Sequence, residues 1–108
     1  MSVIYKYVIP TPRTGLLSTI SMPRNARILT VETVRGKVCV YAIVQRDDEH
    51  CNRTFHVVPT GIPFGPLEIP PHRDHLGTVL LREETLVFHV FGCRGPVPVG
   101  LTLTGDVS

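Results

Sequence analysis

The shortness of the apolar blocks is the feature that most constrains this sequence. Valine, isoleucine and threonine are frequent in these blocks, and ten prolines and nine glycines interrupt a chain of 108 residues. Helical periodicity is nearly absent, and blocks of this kind predict β-strands. We therefore expect an all-β fold, a small antiparallel sandwich or partly open barrel of about seven strands. The predicted strands lie near Val3–Ile9, Leu17–Ser21, Arg27–Val34, Lys37–Gln45, Arg53–Val58, Leu76–Leu81 and Thr85–Phe91.

Two connections between these strands can be predicted from their residues. Arg35 and Gly36, in "VRGKV", form a two-residue hairpin turn in which glycine can adopt a positive φ. The polar segment Arg82–Thr85 joins the last two strong strands. We expect residues 1–92 to form a single β domain. Residues 93–108 are predicted to be a C-terminal extension, with a possible added strand near Val99–Thr104.

Two of the predicted strands are apolar on both faces. In Lys37–Gln45, valines and Ala42 alternate with Cys39, Tyr41 and Ile43, and Thr85–Phe91 has the same character. An antiparallel sheet with one side in water would show a polar face. The pattern indicates a sandwich, or a sheet whose outer face packs on another subunit. We expect a homo-oligomer that associates through sheet faces.

Composition excludes several classes of protein. Lysine and arginine number 11 against 9 acidic residues, a balance that does not predict binding to a DNA or RNA duplex. The start of the chain does not read as a signal peptide, and no apolar run approaches the roughly 20 residues of a membrane span. Cys39, Cys51 and Cys93 are odd in number and lack paired spacing, so a disulfide framework is not expected. These features predict a protein of a reducing cytoplasm.

The histidines and cysteines raise the question of a metal. Structural zinc sites usually combine two tight ligand pairs, whereas the pairs here are mixed and mostly off-pattern. A histidine inside an apolar strand, such as His89, is more commonly hydrogen-bonded in a core or interface. We expect no metal and no cofactor. The pairs considered are His72 with His75, His89 with Cys93, and His50 with Cys51.

Catalytic signatures are also weak. Nothing in the sequence around Cys51 or Cys93 would activate a thiol as a nucleophile. The acidic segment "QRDDEH" is most simply a solvated loop between strands. The sequence therefore predicts a protein that is not an enzyme.

The segment from His56 to Val79 is different in kind, because prolines and glycines separate its two strands over an unusual length. "PTGIP" combines the hydroxyl of Thr60 with Gly61, where a backbone can approach a ligand closely. Prolines restrict φ and so reduce the entropy lost when the loop becomes ordered. Long ordered loops in compact domains commonly bind something. The alternative is a proline-stiffened surface connection.

Seven short motifs in order resemble a family of small phage and prophage proteins long described as of unknown function. The resemblance spans most of the chain, to about Gly92. Two departures stand out, since the family commonly has Gly-Thr-Gly-His-Pro at Pro59–Pro63 and tryptophan at Tyr41. The motifs are "IYKY", "ISMP", "ARILTV", "VYAIV", "RTFHVVPTGIP", "LGTV" and "LVFHVFG".

The resemblance implies a phage origin, action in the host bacterial cytoplasm and a non-enzymatic role. The chain is also similar to phage sponges that sequester the cyclic nucleotides of bacterial CBASS immunity, which are oligomers with ligand at subunit interfaces. Such a protein needs arginines for phosphates, an aromatic ring for a base and loops that approach closely.

The leading prediction is therefore an oligomeric phage protein that binds and sequesters a small anionic ligand of the cyclic-nucleotide class. The alternative is a structural or interaction protein of the phage with no small ligand, and a weaker third reading is a phosphodiesterase that uses the histidines. The predicted ligand-binding residues are Arg53, Thr60 and Gly61, followed by His72, Arg73 and Tyr41.

The sequence supports two further predictions about Arg53, one on its exposure and one on the direction of its side chain. We expect it to be an exposed charge whose removal changes stability little. It lies seven positions before Thr60, so the two side chains would point to opposite faces of one regular strand. A shared site for both would need a bend near Pro59 or a second subunit.

Overall fold

The computed structural model describes residues 1–10, 17–65, 69, 73–81 and 85–95. The described residues form seven β-strands and no helix, so the all-β prediction is confirmed, and the seven main predicted strands are all present. The strands are β1 (Ser2–Ile9), β2 (Leu17–Pro23), β3 (Arg27–Val34), β4 (Lys37–Gln45), β5 (His50–Pro59), β6 (Asp74–Leu81) and β7 (Leu86–Gly92). The predicted strand near Val99–Thr104, the turn residues 82–84 and His72 lie outside the described residues.

The strands form two antiparallel sheets. One has the order β1-β4-β3 and the other the order β2-β5-β7-β6. The hairpin between β3 and β4 turns at Arg35 and Gly36, whose φ angles are 52° and 75°. Positive φ at both central residues matches the right-handed twist of the flanking strands, which is why a glycine is placed there. The predicted hairpin is confirmed.

The core lies between the inner faces of the two sheets. Alternate residues of β4 point inward and are fully buried, and they face buried residues of the four-stranded sheet. The sheets approach most closely where β3 passes β6. There a Cβ added to Gly77 would lie 3.1 Å from the Cβ of Val31, and the Thr33 hydroxyl donates to the Leu80 carbonyl at 2.7 Å. The architecture is thus a sandwich that is not a closed barrel.

Arg53 is also buried in this interior. It lies on the inner face of β5 beside Phe55 and Val57, and only 1% of its surface is exposed. Its Nη1 donates to the Ala26 carbonyl at 2.8 Å, and its Nη2 donates to the carbonyls of Cys93 and Gly95 at 2.6 and 3.0 Å. The expectation that Arg53 is an exposed charge is wrong. The guanidinium joins the start of β3 to the segment that follows β7.

Burial lowers the pKa of Arg53, and the nearby thiols of Cys93 and Cys51 act in the opposite direction. A guanidinium nonetheless stays protonated in proteins. The protein therefore holds a buried cation by means of carbonyl dipoles.

The acidic segment after β4 forms the solvated loop that the sequence predicted. The side chains of Arg24 and Glu49 form an ion pair at 3.0 Å, and the backbone N–H of Asn25 donates to the Asp48 carboxylate at 3.0 Å. The Glu49 side chain is 74% exposed, which makes this a surface contact.

All three cysteines are free thiols, and Cys39 among them is buried. In the described part of the chain, no helix is long and apolar enough to cross a membrane.

We expect Arg53→Met to lower the free energy of unfolding by about 3 kcal/mol or more. Three carbonyls, one buried and two partly buried, would lose their donor, and each unsatisfied buried group costs about 1–3 kcal/mol. Arg24→Met is the matched control, because an exposed ion pair contributes about 0–1 kcal/mol. Urea unfolding followed by circular dichroism measures both changes. Similar losses in the two variants would contradict the structural role assigned to Arg53.

Candidate functional site

The outer face of the four-stranded sheet collects histidines and threonines. Residues paired across antiparallel strands point to the same side, and the side chain direction alternates along each strand. His56 of β5 pairs with Phe91 of β7, which pairs with His75 of β6. In the next row His89 of β7 pairs with Thr78 of β6. We call these five residues, together with Thr60, the histidine face.

A chain of hydrogen bonds connects four of these side chains. The Thr60 hydroxyl lies 2.7 Å from Nε2 of His89, and the Thr78 hydroxyl lies 3.0 Å from Nδ1 of the same ring. The Thr78 hydroxyl also lies 3.1 Å from Nε2 of His75. Both nitrogens of His89 are therefore engaged by hydroxyl groups, and Thr78 links two imidazoles.

The single proton of the Thr78 hydroxyl couples the two rings. When both imidazoles are neutral, Thr78 donates to one and accepts from the other. If His89 is protonated at Nδ1, Thr78 accepts from it and donates to Nε2 of His75, whose proton is then on Nδ1. If His89 is protonated at Nε2, each hydrogen bond of the chain runs in the opposite direction, and His75 carries its proton on Nε2. The two rings consequently share the same tautomer as long as Thr78 donates its proton within this chain and not to solvent.

Aromatic contacts hold the rings in place. His75 packs edge-on against Phe91 with ring centroids 5.3 Å apart, and it lies 6.2 Å from His89 at a tilt of 44°. His75, Thr78 and Thr60 are exposed, whereas His89 and Phe91 are half-buried and His56 is buried. The accessible part of the face thus offers hydroxyl and imidazole groups beside an aromatic ring.

The loop after β5 borders this face. The Thr60 amide donates to the Val87 carbonyl at 3.0 Å, which fixes the start of the loop to β7. Gly61 has φ +90°, and no atom of the described residues lies within 4 Å of where its Cβ would be, so these residues leave the backbone uncovered at this point. Ile62 and Phe64 beyond it are about half exposed. Apolar side chains therefore stand next to the polar groups of the face.

The predicted site residues do not all converge. Thr60 and Gly61 lie at the histidine face, but Arg53 points to the opposite side of β5, as strand alternation predicted. Tyr41 lies on the outer face of the other sheet, on β4. Arg73 is buried immediately before β6. Ligand contacts by Arg73 and Tyr41 stay predictions.

Sequence reasoning missed the residues that complete the face. His89 was assigned to a core or interface, and Thr78 and Phe91 were not linked to any site. The relevant signal was present in two short segments, "HLGT" and "VFHVF", but each becomes informative only when the strands that contain them pair. That pairing depends on a β-bulge between His75 and Gly77, which sets the register of β6.

A surface depression, separate from the histidine face, lies at one end of the three-stranded sheet. It has a volume of about 350 Å³ and is lined by residues that include Val8, Ile9, Pro10, Gly36 and Lys37. Among the described residues of this lining, Lys37 is the charged one. It lacks the connected polar side chains of the histidine face, so we treat the face as the stronger candidate.

Metal-binding side chains do not gather in the described ranges, where no group of three or more histidine, cysteine, aspartate or glutamate residues is arranged to hold an ion. The absence of a metal in the protein stays a prediction.

Comparison with known proteins gives a family but no activity. A sequence profile described as Domain of unknown function (DUF7352) matches residues 1–98. The chain belongs to this family. No curated protein and no solved structure matches it. The matched region extends six residues beyond Gly92 and includes Cys93 and Gly95, whose carbonyls bind Arg53. The domain boundary at residue 92 stays a prediction.

We expect His75 and His89 to share one tautomer when both are neutral, and Thr78→Val to remove this coupling. Long-range ¹H–¹⁵N correlation spectra of the imidazoles distinguish Nδ1–H from Nε2–H. Thr19→Val, on the outer face of β2, is the control and should leave both rings unchanged. Different tautomers for the two rings in the unsubstituted protein would contradict the hydrogen-bond chain.

Proposed function

We propose that this protein binds a small anionic ligand of the cyclic-nucleotide class at the histidine face and does not turn it over. In this proposal it is a phage protein of the host bacterial cytoplasm that sequesters an immune signal. The hydrogen-bond chain from Thr60 through His89 and Thr78 to His75 is the observation that carries the proposal.

The chemistry of the face suits phosphate. Hydroxyl and imidazole N–H groups donate to phosphate oxygens, and a protonated imidazole donates from both nitrogens while adding charge. Because Thr78 links the two rings, a ligand oxygen at one ring would reorient the donors of the other. The face therefore presents donors that can adjust together to one anion.

Recognition of a base can come from the border of the face. Phe91 presents its ring beside His75, and Phe64 is about half exposed in the loop after Gly61. Stacking of a base on an aromatic side chain contributes about 1–3 kcal/mol. The bare backbone at Gly61 permits close approach of a ligand between these groups.

Binding is favoured over turnover by the position of Asp74, the carboxylate next to His75 in the sequence. Histidine catalysts are commonly oriented by a carboxylate that accepts a proton from the second ring nitrogen. Asp74 precedes His75, yet its carboxylate accepts the backbone N–H of Arg94 at 3.1 Å. Threonine hydroxyls, not a carboxylate, orient His89.

The test is equilibrium binding of cyclic dinucleotides, cyclic trinucleotides and linear mononucleotides, followed by denaturation and chromatography of the recovered ligand. We expect a cyclic nucleotide to bind and to be recovered intact. Recovery of cleaved product would support the phosphodiesterase reading, and no binding by any nucleotide would support a structural or interaction role.

Variants locate the site. His89→Ala should weaken nucleotide binding roughly 10- to 100-fold, because a phosphate oxygen that replaces one threonine at this ring would lose a hydrogen bond to a charged group, which contributes about 1.5–3 kcal/mol. His50→Ala replaces an exposed histidine at the start of β5 and should bind like the unsubstituted protein. Calorimetric titration measures both affinities. Equal affinity in the His89 variant would remove the histidine face from the proposal.

A further inference from the structure

The outer face of the three-stranded sheet is largely apolar and partly open to solvent. Ile4 and Val8 of β1 are 58% and 45% exposed, and Tyr41 and Ile43 of β4 are half-buried beside them. Gln45 lies at one end of this face and Lys37 at the other, and between them the pairing registers arrange three rows. They are Ile4–Ile43–Arg27, Lys6–Tyr41–Thr30 and Val8–Cys39–Glu32.

The charges on this face are placed unevenly. Arg27 and Glu32 lie at opposite ends of the β3 edge, in the first and third rows, and Lys6 lies in the middle row on β1. Glu32 accepts a hydrogen bond from the Thr30 hydroxyl at 3.2 Å. Neither Arg27 nor Glu32 forms an ion pair with another described residue. The ion pair found among the described residues joins Arg24 and Glu49, which lie away from this face. Arg27 and Glu32 are thus opposite charges on one edge of the face with no ionic partner among the described residues, and Lys6 and Lys37 are further cations.

We propose that this face is a self-complementary interface with a second copy of the chain, related by a two-fold axis that runs across the strands through the middle row. Such an axis exchanges the first and third rows. Arg27 then faces the partner's Glu32 and Glu32 faces the partner's Arg27. Ile4 faces the partner's Val8, and Ile43 lies opposite the position of the partner's Cys39, a residue that is buried within its own chain. Unlike charges and apolar groups both meet their complements.

The other face-to-face arrangement fits less well. A two-fold axis along β4 would place Ile4 against the partner's Arg27 and Val8 against the partner's Glu32, which buries charge against apolar groups. The axis across the strands leaves one like-charged contact, between Lys6 and the partner's Lys6. These lysines lie on β1 at the edge of the sheet, where their long side chains can extend into solvent.

The geometry requires no change in the strands. Two sheets that pack face to face lie about 10 Å apart with their strands roughly aligned, and an isologous contact repeats each interaction twice. The interface uses one sheet, and the histidine face lies on the other. Dimerisation and ligand binding can therefore be tested separately.

A charge-exchange experiment tests this interface. The unsubstituted chain of 12.0 kDa should sediment at about twice that mass at micromolar concentration. Arg27→Glu and Glu32→Arg should each weaken self-association at least about 10-fold, because like charges would then face each other. An equimolar mixture of the two variants should restore a dimer, since each charge would meet its opposite. Lys6→Gln is the control and should associate as well as the unsubstituted chain or better.

Circular dichroism verifies that the variants are folded, which we expect because the substituted side chains are exposed. Sedimentation equilibrium gives the dissociation constants. A monomeric unsubstituted chain would overturn the proposal and leave the face to another partner. A mixture of the two variants that stays monomeric, or single variants that associate like the unsubstituted chain, would also overturn it.

Discussion

The fold depends on a cation buried between its sheets. Removing a guanidinium from water is costly, and the three carbonyls that bind Arg53 offset that cost only if the backbone segments carrying them are held in place. The carbonyl of Ala26 lies just before β3, and those of Cys93 and Gly95 follow β7. One side chain of β5 therefore fixes where β3 begins in one sheet and where the chain leaves β7 in the other.

This constraint reaches the candidate site through strand alternation. With Arg53, Phe55 and Val57 directed inward, the intervening residues of β5 are directed outward, and His56 lies among them. The same rule applied to β7 places Val90 in the core and His89 and Phe91 outside. The inward residues that form the core and the outward residues that form the histidine face thus alternate along the same strands.

The two sheets divide the outer surface by chemistry. The four-stranded sheet presents imidazoles and hydroxyls that are already hydrogen-bonded to one another, whereas the three-stranded sheet presents aliphatic side chains and unpaired charges. Polar groups arranged in a connected chain suit a small ligand with several acceptors. An apolar surface with opposite charges at separate points suits a second protein surface. Both proposals follow from what each face displays.

Much of the fold could be predicted from the sequence, because strand formation depends on local pattern. Alternation and turn residues placed all seven strands, and Arg35-Gly36 identified a hairpin whose two central residues have positive φ. The candidate site was harder, because Thr60, His75 and His89 meet only through pairing between strands that are distant in sequence. Thr60 and Gly61 were found from their loop, but the histidines were not.

Arg53 shows a different limit of sequence reasoning. An arginine near the start of a strand reads as exposed, because charged residues are rarely buried without a partner. Its partners here are backbone carbonyls. Every residue has one, so the residue types in the sequence do not indicate which carbonyls will bind an arginine. The alternation rule nevertheless predicted correctly that Arg53 and Thr60 lie on different sides of the sheet, since two residues seven positions apart on a regular strand point to opposite faces.

The most direct test of the ligand site is to map chemical-shift changes on the ¹⁵N-labelled protein during titration with the cyclic nucleotide that binds best in the panel. If the ligand binds at the histidine face, we expect the largest changes at the amides of Thr60, Gly61 and Thr78 and at the imidazole nitrogens of His75 and His89. Changes concentrated at Gly36 and Lys37, in the depression at the end of the other sheet, would contradict it.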